Sequence, residues 1–427
     1  MKKVIVVTYY WPPSGGSGVQ RWMYFCKHLK ENGIEPIVVT IDPKDAAYPA
    51  IDESLLKHTE GIRVIHTSGG FQLIKLYSFL KTGSSNKEIP VGNFGSERKT
   101  RMDKFAGYIR ANLFIPDARV GWNKKVIPVV RKLIAEEKID TIITTGPPHS
   151  THLVGLQVKK ATRIRWFADF RDPWVDIYYN KIFRKTARSE RKDQFLEAEV
   201  LQNADKIITV GPTLGRLLIK NIDESKIEVI HNGFDEGSFA GIEPKRYDEI
   251  TICHVGVWTV LQPYAIVANA LKRILEEHPS LKLRFLIVGK AADEIEQSFT
   301  GIERLTLDLR GKVSHKEALT EMKNVDILLN CLPIQENAEL IVSGKLMEYL
   351  ASGNKVLALG KTNGDAARVI AKAPNASIVA EDDEEGVYNA LSEKIFSERL
   401  KTLEVPVEIQ PFSRKQTAVK LAALINS

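Results

Sequence analysis

Val4-Ile5-Val6-Val7-Thr8-Tyr9-Tyr10-Trp11-Pro12-Pro13-Ser14-Gly15-Gly16-Ser17-Gly18-Val19 carries the first statement of the fold. An unbroken apolar run reads as a strand buried on both faces, the habit of parallel sheets. A glycine-rich turn follows, and residues 19–32 then place Trp22, Phe25, Cys26 and Leu29 at helical spacing. Gly33 stops that helix, and residues 36–41 read as a second strand. Outward from this unit the alternation continues. Strands are predicted at 62–67, 141–145, 164–168, 206–210 and 227–230, and helices at 124–137, 152–162, 190–203 and 213–222. The rhythm restarts after Asn232-Gly233, with strands at 250–255, 283–288, 305–309, 325–329 and 356–359 and helices at 263–277, 315–323 and 344–352. The chain therefore reads as α/β, with two Rossmann-like, doubly wound parallel-sheet domains in series. The first is expected over residues 1–235 and the second over 245–410. Gly233, Gly237, Gly241 and Pro244 mark a hinge between them. A last helix, 413–427, is predicted to pack back on the first domain.

Composition removes several classes. With 427 residues, 44% hydrophobic and 26% charged, the chain is an ordinary globular one and long enough for two domains. Cys26, Cys253 and Cys331 lie far apart with no paired spacing, which speaks against a disulfide framework or structural zinc and fits a reducing, cytoplasmic compartment. No cluster of His, Cys, Asp and Glu has metal-ligand spacing, so no metal is expected. No apolar run approaches 18 residues, and the first one meets Tyr9-Tyr10-Trp11-Pro12-Pro13 without a small-residue cleavage site. It reads as a strand and not a signal peptide. The net charge of +7 is local: residues 72–132 hold 13 Lys and Arg against 4 Asp and Glu. Such a surface suits nucleic acid, anionic lipid or a phosphorylated substrate, and equally a solvated basic loop.

In open parallel sheets, ligands bind outside the carboxyl ends of strands at a topological switch point. Four stretches fall at such ends. The Gly15-Gly16-Ser17-Gly18 loop lets backbone approach a ligand at a helix N-terminus. It also fits a plain tight turn or, with Asp42 after the second strand, a dinucleotide site. In Ser343-Gly344-Lys345-Leu346-Met347-Glu348, Ser343 caps a helix whose first amides suit a diphosphate, Lys345 supplies charge, and Glu348 suits ribose hydroxyls. Lys345 and Glu348 also fit an ordinary exposed pair one turn apart. Asp169-Phe170-Arg171-Asp172-Pro173-Trp174 sets two carboxylates and an arginine beside aromatics suited to sugar rings, and equally reads as a salt bridge opening a helix. Thr145-Gly146-Pro147-Pro148-His149-Ser150 places His149 at a helix entry, where it would donate to a hydroxyl or phosphate.

Taken together, these motifs resemble retaining glycosyltransferases of family 4, which have the two-Rossmann GT-B fold, and most of all the bacterial type that builds surface polysaccharides. The order and spacing of the opening Tyr9–Gly18 stretch, the 145–150 loop, the 169–174 run, Ala204-Asp205-Lys206-Ile207-Ile208-Thr209-Val210, Ile230-His231-Asn232-Gly233-Phe234-Asp235 and the 343–353 helix carry the likeness over nearly the whole chain. The resemblance implies two domains facing across a cleft. The second would hold a nucleotide-sugar such as a UDP- or GDP-sugar. Glu348 would then hold the ribose, Ser343 and Gly344 the diphosphate, and backbone near Val313 the base. Gly256 would lie by the diphosphate, Gly16 and Gly18 would approach the donor from the other domain, and Lys290 would add charge. Asp169, Arg171 and Lys345 stand where catalytic groups are expected, and His149, Asp172 and Trp174 on the acceptor side. Asp169 replaces a histidine that many relatives carry near the sugar.

Two departures stand out. The family's paired glutamates lie eight residues apart, and eight before Glu348 is Leu340, with Glu339 one residue off. Relatives also carry Arg and Lys after the first strand of the second domain, where this chain has Gly256-Val257-Trp258-Thr259-Val260-Leu261-Gln262-Pro263. The expected function is metal-independent transfer with retention to a glycan or polyprenyl-linked acceptor, without a cofactor or nucleic-acid partner. A nucleotide-sugar-binding protein without transfer, or a nucleotide-sugar epimerase on the same fold, are the alternatives. The lysine-flanked apolar stretch 71–81 fits either a peripheral contact with the inner membrane face or a buried core helix.

Overall fold

In a computed structural model, residues 1–48, 50–69, 107–109, 111–177, 185–219, 222–400 and 403–427 are described. The apolar stretch 71–81 and most cations of the basic segment lie outside them. The chain divides into two compact units, residues 1–231 with 418–427, and residues 232–417.

The first unit is built on a seven-stranded, all-parallel sheet in the order β3-β2-β1-β4-β5-β6-β7. Its strands are β1 (Lys2–Val7), β2 (Ile34–Ile41), β3 (Arg63–Thr67), β4 (Thr141–Gly146), β5 (Arg165–Phe170), β6 (Lys206–Thr209) and β7 (Ile227–Val229). Its helices are α1 (Ser17–Glu31), α2 (Asn123–Glu137), α3 (Ser150–Ala161), α4 (Ala187–Asn203) and α5 (Pro212–Leu218). Val4–Val7 are fully buried because β1 is central and covered on both faces. Trp22, Met23, Phe25, Cys26 and Leu29 of α1 form one cluster with Val4 and Val6. Ala418, Leu421, Ala422 and Ile425 belong to the same cluster. They recur at helical spacing, so the end of the chain closes the core of the unit that its beginning opened.

The second unit repeats the scheme with six parallel strands, β8 (Ile250–Val255), β9 (Leu283–Val288), β10 (Leu305–Gly311), β11 (Ile327–Cys331), β12 (Lys355–Leu359) and β13 (Ala376–Val379), ordered β10-β9-β8-β11-β12-β13. Side chains alternate across this sheet. Cys253, Val255, Leu286, Val288 and Leu328 point into a cluster with α8 (His315–Asn324), α9 (Gly344–Ala351) and α10 (Asp365–Ile370). Ile252, Phe285, Ile287, Ile327 and Leu329 point into another with α6 (Tyr264–Glu277), α7 (Asp293–Phe299) and α11 (Glu384–Phe396).

Both sheets have the Rossmann order, and each reverses direction once, between β1 and β4 and between β8 and β11. The two Rossmann-like domains predicted from the sequence are present, whereas α7, α10, α11 and β13 were not foreseen. The strand expected at 325–329 begins two residues later, because Val325 ends α8 by donating to Glu321 and Asp326 turns its carboxylate to the amide of Thr251. The final helix, α12 (Arg414–Asn426), starts after Ser413.

Candidate functional site

Within the second unit, the ends of β8 and β11 and the starts of α8 and α9 bring four groups of side chains together. Ser343 adopts an extended backbone, and its hydroxyl accepts the amide of Leu346 at 3.2 Å, capping α9. The same hydroxyl donates to Asn330 Oδ1 at 3.4 Å, tying the cap to the end of β11. The first amides of α9 have no intrahelical partner and carry the positive end of the helix dipole. Leu346, Met347 and Leu350 are buried, so the helix must pack on that side. Lys345 and Glu348 fall on the other side, one turn apart.

Lys345 Nζ lies 3.3 Å from His254 Nε2. His254 is the penultimate residue of β8, fully buried, and burial followed by the nearby Lys345 charge pushes its pKa well below the usual imidazole range. A neutral ring therefore accepts a hydrogen bond from the ammonium. Trp258 stacks on that ring at 4.5 Å, and Tyr349 Oη accepts the amide of Val255 at 2.7 Å, fixing the strand end to α9. Burial lowers the Lys345 pKa from its ordinary value to about 8. Gly256 has φ +109°, and a Cβ there would stand 3.1 Å from Lys345 Nζ. The missing side chain at Gly256 leaves the ammonium room.

Glu348 takes the other end of the group. Its Oε1 lies 2.9 Å from His315 Nε2, at the first residue of α8. Ser314 and Glu317 form a reciprocal capping box that fixes this helix start. Val313 is partly buried and packs on the core that holds Leu346 and Met347. Gly344 is exposed at the start of α9. Lys290 is exposed after β9; its carbonyl accepts the amide of Trp258 at 2.8 Å, and its ammonium makes no hydrogen bond to this group among the described residues. Glu339 is half-buried in the turn Ala338–Leu340.

In the first unit the predicted residues also gather at strand ends, with a different character. Asp169, on β5, is fully buried. It accepts from Arg21 Nη2 at 2.8 Å, Trp22 Nε1 at 2.7 Å and Thr145 Oγ1 at 2.8 Å. Arg171 donates to the carbonyls of Gly146, at 3.1 Å, and Pro147. Gly18 makes room for it: a Cβ at Gly18 would lie 1.6 Å from Arg171 Nη1. Gly16, at φ +108°, is the N-cap of α1, a conformation that only glycine adopts freely. His149 is buried, donates to the Pro173 carbonyl at 3.1 Å and stacks on Trp174 at 5.3 Å. Burial, with the neighbouring His152 second, keeps its pKa well below the usual range. Trp174 is buried with its indole donating to Asp193 at 2.7 Å, while Asp172 is exposed.

Four contributors escaped the sequence reading. Arg21 and Trp22 passed as helix residues, although a buried face carrying an arginine requires a partner. His254 interrupts an apolar strand two residues before Gly256, which is a usable signal. His315 offered none, since its partner lies 33 positions away.

Residues 95–237 match the profile of the family described as Glycosyltransferase Family 4. No curated protein matches the sequence. Among solved structures, sucrose-phosphate synthase from Thermosynechococcus elongatus is similar at TM-score 0.64 and 14% identity, covering 100% of this chain and 98% of that one. The lipopolysaccharide outer core galactosyltransferase WaaB in its apo form is similar at TM-score 0.58 and 14% identity, covering 100% of both chains. An α,α-trehalose-phosphate synthase (UDP-forming) from Burkholderia xenovorans, in complex with glucose-6-phosphate, is similar at TM-score 0.57 and 10% identity, again covering 100% of both. At these identities the likeness is one of fold, the GT-B arrangement of two Rossmann-like domains. Among the described residues no helix is long and apolar enough to cross a membrane. The family 4 match and the glycosyltransferase structures together support a glycosyltransferase.

Proposed function

We propose that this chain transfers a sugar, with retention of configuration and without a metal, from a UDP- or GDP-sugar to a glycan or polyprenyl-linked acceptor. The observation that carries the reading is the arrangement on α9: an ammonium and a carboxylate one turn apart, beside the first amides of the helix and under a glycine that leaves the ammonium space. Ser343 and Gly344 would present amides to the diphosphate, Lys345 would neutralise it, and Glu348 would accept from the ribose. The basic pair that relatives carry in the 256–263 loop is absent here, and Lys345 sets its charge against that same loop from the neighbouring helix. A UDP-forming synthase with this fold binds a sugar phosphate, which fits an acceptor that carries phosphate.

In the reaction the bond between the anomeric carbon and the diphosphate oxygen breaks, and the leaving group keeps the electron pair. The acceptor oxygen attacks the oxocarbenium-like centre from the face just vacated, and its proton passes to the departing phosphate. The protein's part is alignment and stabilisation of charge on the leaving diphosphate. Asp169 then acts as a brace for the 16–18 and 145–150 loops, and His149 and Asp172 belong to the acceptor side. The inner membrane face is proposed as the place of action, through the 71–81 stretch; salt-sensitive sedimentation with anionic vesicles tests this, and its absence refutes it.

The direct test of function is incubation with radiolabelled UDP- and GDP-sugars, with and without glycan and polyprenyl-diphosphate acceptors. Label in the acceptor with the anomer preserved is the expected result. Interconversion of the donor without acceptor would make the protein an epimerase, and tight donor binding without either would make it a binding protein.

A further inference from the structure

The proposed ribose carboxylate is not left to solvent. Glu348 Oε1 takes a 2.9 Å hydrogen bond from His315 Nε2, and its side chain is 19% exposed against 57% for the imidazole. Among the described residues Oε2 accepts no hydrogen bond. The contact joins two helix starts that are each fixed independently, α8 by its capping box and α9 by the Ser343 cap. A histidine on the first residue of a capped helix has little backbone freedom, so its ring is a firm support. A carboxylate held at one oxygen loses torsional freedom and presents the other in a defined direction, which reduces what a ligand must order on binding.

We propose that His315 is a positioning residue for nucleoside recognition: it holds Glu348 through Oε1 so that Oε2 meets a ribose hydroxyl. The inference rests on the donor-site reading above and deepens it, since that reading assigns Glu348 but gives His315 no part. The imidazole is faced by Glu348 on α9, by Arg414 at the start of α12 and by Asp235 before the turn Glu236–Phe239, with Glu317 and Lys316 on its own helix. The Glu348 hydrogen bond is the largest influence and raises the His315 pKa, against burial and Arg414, which lower it. The ring therefore keeps its proton to higher pH than an ordinary imidazole, and while it does the pair carries less negative charge toward an anionic nucleotide. Loss of that proton as pH rises weakens nucleotide binding in this region of the site.

The test compares UDP, GDP and inorganic pyrophosphate as probes, by calorimetry on the full chain. Pyrophosphate has a diphosphate and no ribose, so it reports on Ser343, Gly344 and Lys345 alone. In His315→Leu, affinity for the better nucleotide is expected to fall about tenfold while pyrophosphate affinity stays within twofold, a difference near 1.4 kcal/mol. His315→Gln restores a donor at about the same reach. It is expected to recover most of the nucleotide affinity and to show a weaker pH dependence than the wild type, keeping only the share that Lys345 contributes. Equal loss for nucleotide and pyrophosphate would make His315 a general structural residue, and unchanged nucleotide affinity in His315→Leu would remove it from recognition; either outcome overturns the inference. Wild-type protein that binds none of the three probes would instead overturn the donor-site reading.

Discussion

Asp169 in the first unit and Glu348 in the second are both carboxylates beside strand-to-helix turns of a Rossmann sheet, and they are held in opposite ways. Asp169 is fully buried and accepts from Arg21, Trp22 and Thr145. Glu348 is partly open and, among the described residues, accepts from His315 alone. The cations differ in the same sense. Arg171 spends its guanidinium on two backbone carbonyls, whereas among the described residues Lys345 has one neutral imidazole to donate to and keeps N–H capacity in reserve. A polar group satisfied by its own protein fixes a loop. A group left short of partners, in a position too buried for free hydration, is prepared for a ligand.

This contrast is open to breaking at its strongest point. Asp169→Ala would remove the buried carboxylate to which Arg21, Trp22 and Thr145 donate and is expected to cost about 3–5 kcal/mol of stability, read from urea unfolding. A cost below about 1 kcal/mol would deny Asp169 its bracing role. Lys345→Ala should do the reverse. Sugar transfer is expected to fall a few hundredfold, about 3–4 kcal/mol of transition-state stabilisation, with the unfolding midpoint unmoved. Gly18→Ala sharpens the first-unit half of the contrast, because the new methyl enters the space of Arg171 Nη1. About 1–3 kcal/mol of destabilisation is expected, and circular dichroism melting checks it.

The smallest effect concerns pH. The Lys345 pKa is lowered by burial to about 8, so the free site loses its positive charge as pH rises through that value. A bound diphosphate favours the ammonium, and binding above pH 8 should therefore take up a proton. Calorimetry in buffers of different ionisation enthalpy should show that uptake, at most one proton, and nucleotide affinity should decline by up to tenfold per pH unit there. No uptake at pH 9 would mean that Lys345 does not face the ligand.

Much of this architecture could be read from the sequence, and the reasons are local. The 4–7 run declared a buried strand because every residue in it is apolar and β-branched. Ser343, Gly344, Lys345 and Glu348 could be read together because they lie within six consecutive positions at one helix start, and helical geometry alone puts the two charges on one side. Short elements such as α7, α10 and β13 gave no clear period within so few residues. The hidden part was long-range pairing. Arg21 meets Asp169 across 148 positions and His315 meets Glu348 across 33, and no pattern in either segment encodes the other. Gly18 shows a subtler gap: its small size was attributed to ligand approach, and in the structure the space it leaves is filled by Arg171.

The central claim is that α9 of the second unit grips a nucleoside diphosphate through Lys345. Thermal unfolding of the wild type and of Lys345→Ala, each with saturating UDP or GDP, measures it most directly. At a hundred times its dissociation constant, the correct nucleotide should stabilise the wild type by about 2.7 kcal/mol and leave Lys345→Ala close to its ligand-free melting point. Equal stabilisation of both proteins would contradict the account.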